Sequence, residues 1–172
     1  PILRFHPWVF SGAIARIEGN PADGDVTEVD SKRGELLGVG HFHHGSIAVR
    51  LLSFEAADLE SKVFWINKFQ NALAVRKTAG LGGNAETNCH RLVHGEGDGL
   101  SGLIIDVYGK TAVVQCHSIG MHRQRDLIAA ALKKVFGEKL EAVYDKSADT
   151  LPPKYAENQT NDYVWSAIDA PA

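Results

Sequence analysis

The first third of the chain alternates short apolar runs with turn residues at close spacing. Trp8-Val9-Phe10, Ala13-Ile14-Ala15-Arg16-Ile17, Asp25-Val26-Thr27-Glu28-Val29, Leu36-Leu37-Gly38-Val39-Gly40 and Ile47-Ala48-Val49-Arg50-Leu51-Leu52 read as strands. The breaks fall at Gly19-Asn20-Pro21, Asp23-Gly24, Arg33-Gly34 and His44-Gly45, where turn chemistry favours Gly, Asn, Asp and Pro. Short strands this closely spaced predict a small barrel or sandwich. The period then changes. Leu59, Val63, Ile66, Phe69 and Leu73 recur at spacings of three and four, which predicts a helix capped by Asp58 and ending near Gly80.

A glycine-rich connection, Ala79-Gly80-Leu81-Gly82-Gly83-Asn84, leads into a second unit. Its predicted order is three strands, a helix and a strand: 91–94, 103–108, 111–116, a helix from about Met121 to Phe136, and 142–144. Tyr108-Gly109-Lys110-Thr111 suits a tight hairpin, and Ile128, Ala131, Leu132 and Val135 give the helix a buried stripe. Beyond Ser147, Pro152-Pro153 and Asn158-Gln159-Thr160-Asn161 read as irregular chain. The expected fold class is therefore α+β: a small β-barrel unit over residues 1–70, a small α/β unit of strand-strand-helix-strand type over 71–150, and a tail over 151–172.

Composition narrows the function classes. A net charge of −3 argues against a broad basic surface that grips nucleic acid by phosphate neutralisation alone, so any RNA contact must be local. No stretch approaches the roughly 20 apolar residues of a membrane span, and no membrane association is expected. Cys89 and Cys116 stand far apart, poor material for a disulfide framework or a Cys-based zinc site, and point to a reducing cytoplasm.

The string Gly95-Glu96-Gly97-Asp98-Gly99-Leu100-Ser101-Gly102 superficially resembles a phosphate loop. Such a loop must pass from a strand into a helix, whereas Leu103-Ile104-Ile105 reads as a strand, and two carboxylates would repel phosphate. It is expected to be a turn between strands, with Glu96, Asp98 and Asp106 as solvated carboxylates. His41 and His43 share one strand face but lack further convergent ligands for zinc. Neither cysteine has the surroundings of a nucleophile, and Cys116 reads as a packed side chain. Arg4, His6, Trp8, Ser11 and Arg50 combine cations, an aromatic plane and a hydroxyl, the groups that bind phosphate and stack bases in RNA recognition.

Several strings carry a family resemblance: His6-Pro7-Trp8-Val9-Phe10-Ser11-Gly12-Ala13-Ile14, Gly24-Asp25-Val26, Ile47-Ala48-Val49-Arg50-Leu51-Leu52 and, above all, 91–106, beginning Arg91-Leu92-Val93-His94-Gly95-Glu96-Gly97-Asp98. From about Arg4 to Tyr144 the chain resembles the N-terminal half of the 23S rRNA cytosine-carbon-5 methyltransferase family. The resemblance implies a PUA-like β-barrel that binds RNA, a small middle domain, and a downstream methyltransferase domain that carries the catalytic cysteine and S-adenosylmethionine. Residues after Tyr144 are too few for that third domain, so no catalytic residue, cofactor or metal is expected within this chain. The expected function is an RNA-binding, non-catalytic portion of such an enzyme, with rRNA as partner. Arg4, Trp8, Lys32, Arg33 and Arg50 are the expected RNA contacts. The alternative is a dimerisation or domain-packing module without direct RNA contact, in which a homodimer is expected.

Overall fold

The computed structural model describes residues 2–82 and 87–167. Strands β1 (Trp8–Phe10), β2 (Val26–Asp30), β3 (Leu36–Phe42) and β4 (Ile47–Ser53) form an antiparallel sheet in the order β1-β4-β3-β2. The fold is α+β as expected, but no closed barrel exists among the described residues: β1 and β2 are the two edges and do not pair. The missing closure has a local cause. Residues 13–17, expected as a strand, instead follow a 3-10 turn at Ser11–Ala13 and run as irregular chain, with Ile14 packed on the sheet and Ile17 exposed.

Both faces of β4 are used, which is why its sequence reads as almost continuously apolar. Val49 and Leu51 join Val9 and Phe42 in a small core closed by Ile2, Ile14, Val29 and Phe54. Leu52, on the opposite face with Arg50, joins Val39 in the main core of the molecule.

That core lies against a second sheet, ordered β5 (Cys89–His94), β6 (Leu103–Tyr108), β7 (Thr111–Cys116), β8 (Ala142–Asp145) and β9 (Asp162–Ser166). All its pairings are antiparallel except β7 with β8, which are joined by a helical crossover. Helices α1 (Lys62–Thr78) and α3 (Arg125–Phe136) pack together and fill the core with Trp65, Phe69, Ala72, Ile128, Ala131 and Leu132.

Four local expectations need correction. The cap of α1 is Ser61, whose hydroxyl accepts from the Val63 amide, while Asp58 accepts from the Glu60 amide in the preceding turn. The buried stripe is rotated accordingly: Trp65 replaces Val63, which is 60% exposed, and Leu59 is buried ahead of the helix. The helix expected from about Met121 is two, α2 (Ile119–Arg123) and α3, broken at Gln124 because its side chain reaches out to Leu59 and His41. The tail contains α4 (Pro153–Ala156) and β9, which completes the sheet edge and lays Trp165 under Lys133 at 4.3 Å.

Candidate nucleic-acid interface

One row crosses the first sheet: Trp8 on β1 pairs with Arg50 on β4, and Arg50 pairs with His41 on β3. Because side chains alternate, all three point away from the small core and toward the second sheet. Each meets a different part of it.

Trp8 meets the glycine-rich loop. Its indole Nε1 donates to Glu96 Oε1 at 2.9 Å and to Ser101 Oγ at 3.1 Å, and Ser101 donates to Glu96 at 2.7 Å. The loop is a 3-10 turn, Gly95–Asp98, closed by Gly99 at φ +66° and running from β5 directly back into β6. The expected turn between strands is therefore present; Glu96 is exposed at its surface, whereas Asp98 and the strand residue Asp106 are shielded and ion-paired. Asp98 accepts from Arg76 at 2.5 Å and from the His94 amide at 2.6 Å, and Asp106 takes both arms of Arg91 at 2.8 and 2.9 Å. Burial pushes the Glu96 carboxyl up, but the hydrogen bonds from Ser101 and Trp8 and the charge of Arg50 outweigh it, so the group stays below its ordinary value.

Arg50 lies half-buried between Trp8 and His41. Burial pulls its guanidinium below the ordinary value, with Glu96 opposing. Among the described residues no hydrogen bond to its five donors is formed, although its neighbour Trp8 is fully engaged. A Cβ added at Gly102 would lie 3.8 Å from Arg50 Cδ. His41 is 3% exposed, its Nε2 donates to Gln124 Oε1 at 3.1 Å, and its Nδ1 is buried without a partner. It presses on Gly120, where a Cβ would come within 2.3 Å of the imidazole.

The other expected contacts lie elsewhere. Arg4 is exposed in the 3-10 turn Ile2–Arg4, just before β1. Lys32 and Arg33 are exposed in the turn between β2 and β3, at the edge of the sheet opposite β1. The structure thus brings Trp8 and Arg50 together, leaves Arg4 exposed in the turn before β1, and separates Lys32 and Arg33 from them. Outside the row, buried Asp23 accepts from the His44 amide, His44 Nδ1, Lys154 and Tyr155, tying the first sheet to α4. Cys116 is buried, which pushes its thiol up to about 12 and leaves no thiolate near neutral pH. Cys89 is exposed. Among the described residues no three His, Cys, Asp or Glu side chains converge on a metal position, and no helix is long and apolar enough to cross a membrane.

Residues 1–54 match the PUA-like domain family. Ribosomal RNA large subunit methyltransferase I of Alteromonas mediterranea is 37% identical over 147 residues, covering 85% of this chain and 36% of the relative. The protein of that name from Escherichia coli SMS-3-5 is 35% identical over 147 residues, with the same coverage. A putative SAM-dependent methyltransferase from Streptococcus mutans superposes with a TM-score of 0.75 at 22% identity, covering 99% of this chain and 41% of that one. A putative methyltransferase complexed with SAH gives 0.75 at 21%, covering 99% and 40%. At such identity the two structures speak for the fold alone.

The chain spans about a third of the length of the curated relatives it matches. The Gly95–Gly102 loop does not fit the methyl donor named for the solved structures. A donor loop runs from a strand into a helix with free backbone amides, whereas Gly95–Gly102 returns into an antiparallel strand and is filled by its own carboxylates. Over residues 1–54 the chain thus matches the PUA-like domain family, and over 85% of its length it is similar to part of the ribosomal RNA large subunit methyltransferases I.

Proposed function

We propose that this chain is the RNA-binding, non-catalytic portion of an S-adenosylmethionine-dependent RNA methyltransferase acting on cytosine carbon 5 of 23S rRNA. In this reading the donor and the chemistry belong to a methyltransferase domain elsewhere in the longer protein, and the enzyme works in the cytoplasm. A first unit over 1–70 and a second over 71–150 share α1 between them, and β9 in the segment that follows pairs with β8 of the second. The observation that carries the reading is Arg50: a half-buried guanidinium beside an indole, with no hydrogen-bond acceptor among the described residues. A half-buried cation whose N–H groups meet water rather than a protein acceptor is what an RNA phosphate would complete. Arg4, Trp8, Arg50 and, more remotely, Lys32 and Arg33 are the proposed contacts.

The test is binding of a ribosomal RNA fragment by the 172-residue chain across a salt series. Binding weakens as salt rises, and Arg50→Ala lowers the salt slope by about one unit, the signature of one lost phosphate contact. An unchanged slope removes Arg50 from the interface, and no binding at low salt rejects the reading.

A second reading, a packing and dimerisation module, is favoured by Trp8, whose indole N–H is already spent on Glu96 and Ser101 of the second unit. It predicts a concentration-dependent dimer by analytical ultracentrifugation and no RNA affinity.

A further inference from the structure

We infer that His6, Trp8 and Phe10 form a stacking platform for an unpaired base of single-stranded RNA, with Arg50 at its edge holding the neighbouring phosphate. The inference rests on the RNA-binding reading and narrows it to one class of RNA. The three rings occur at alternate positions and contact one another: His6 and Trp8 centroids lie 5.6 Å apart, Trp8 and Phe10 6.3 Å, and His6 and Phe10 6.3 Å. Val9 points into the small core, so Trp8 faces the other way, and the ring contacts set His6 and Phe10 beside it. Among the described residues β1 is an edge strand, with no further strand beside it. His6 is exposed and Phe10 is 42% exposed, an uncommon state for a large aromatic ring. A register shift between Val9 and Phe10 gives the strand a bulge there, a device that re-aims side chains near binding sites.

Charge selects the occupant. Recognition of a duplex relies on contacts to many phosphates, and a chain of net charge −3 with Glu96 bonded to Trp8 is ill-suited to that. Bases within a duplex also keep their faces stacked on each other. An unpaired nucleotide needs one open ring and one cation, and this edge supplies Phe10 or His6 with Arg50 paired across from Trp8. Base-on-aromatic stacking tolerates any base, so the platform selects strand state rather than sequence.

The experiment compares a single-stranded RNA oligonucleotide with the duplex of the same sequence, using the 172-residue chain and its Phe10→Leu, Phe10→Ala and His6→Ala variants. Melting curves confirm that each variant is folded, and Phe10→Leu keeps an apolar side chain while removing the ring. The single strand is expected to bind more tightly than the duplex, and loss of the Phe10 ring to weaken it about tenfold, the size of one stack. Equal or tighter duplex binding that Phe10→Leu leaves untouched overturns the platform and spares the RNA-binding reading. Self-association that Phe10→Leu abolishes, with single-strand affinity unchanged, overturns it in favour of a protein contact. Failure to bind either RNA at low salt overturns both.

Discussion

Trp65→Ala lowers the free energy of unfolding by about 3–5 kcal/mol, the usual cost of emptying a core position of this size. Trp65 is 0% exposed and packs at 5.4 Å from Phe64 and 6.0 Å from Phe69. Its indole N–H also donates to the Leu59 carbonyl at 2.9 Å. That carbonyl accepts from Gln124 as well, so the truncation strips one of the bonds that fix the segment joining the two sheets. The loss is therefore not confined to a cavity: Leu59 and Gln124 loosen together, and Gln124 carries His41 with it. A urea titration of the wild type and of Trp65→Phe and Trp65→Ala separates the two contributions, because Phe retains much of the packing but not the donor. Trp65→Phe is expected to fall between them. A cost below about 1 kcal/mol for the alanine variant would place the centre of the core somewhere other than α1.

Elements with one strong local period were legible in the sequence. β4, β6, β7 and the buried stripe of α3 follow from alternation or from i, i+3, i+4 recurrence. The stripe of α1 was misread by one position because Trp65 lies next to Ile66, and a choice between neighbouring apolar residues depends on where the helix begins. Asp58 and Ser61 both have cap chemistry, and the choice of Ser61 follows from burial of Leu59 between helix and sheet. β9 was hidden because Asp162-Tyr163-Val164-Trp165-Ser166 has only a weak period. It becomes a strand by completing the edge of β8, a tertiary cause. The barrel expectation failed for a related reason: Gly12 and Ala13 leave the following segment without a paired strand, so nothing joins β1 to β2.

The site was half legible. Trp8 and Arg50 stand out by type and flank the same β unit, so pairing across a sheet was within reach. Glu96 and Ser101 were beyond it, since their contacts with Trp8 span 88 and 93 residues and no local pattern records such a contact. Glu96 is exposed as a turn carboxylate is expected to be, but Asp98 and Asp106 are paired with Arg76 and Arg91 from other elements, which no local pattern records. Asp23 with Lys154 and Tyr155, 131 and 132 residues away, left no sequence signal at all.

Acid loosens the seam between the two sheets through His41 before any carboxylate takes part. Burial lowers its pKa from 6.5 to about 4, with Arg123 and Arg50 adding to the effect and the Gln124 hydrogen bond opposing it. The unfolded chain binds this proton near 6.5, the native chain only near 4. Stability from the neutral ring is complete above pH 6.5 and is lost as pH falls toward about 4, at up to about 1.4 kcal/mol per pH unit and roughly 3 kcal/mol in all. Asp23 does not intrude. Burial raises its carboxyl, but four hydrogen bonds outweigh this and hold it below its ordinary 3.8, so its contribution fades only at lower pH. His90 and His117 are shifted down by burial in the same sense, and they cancel when wild type is compared with His41→Gln. The urea midpoint of the wild type is therefore expected to fall more steeply than that of His41→Gln between pH 6.5 and 4.5. The contact with Gly120 supplies the structural control. Gly120→Ala places a methyl within 2.3 Å of the imidazole, so it should destabilise by about 1–3 kcal/mol alone and by less in a His41→Ala background. Parallel pH curves for wild type and His41→Gln, together with additive Gly120 and His41 effects, would mean that the two sheets are not keyed through this histidine.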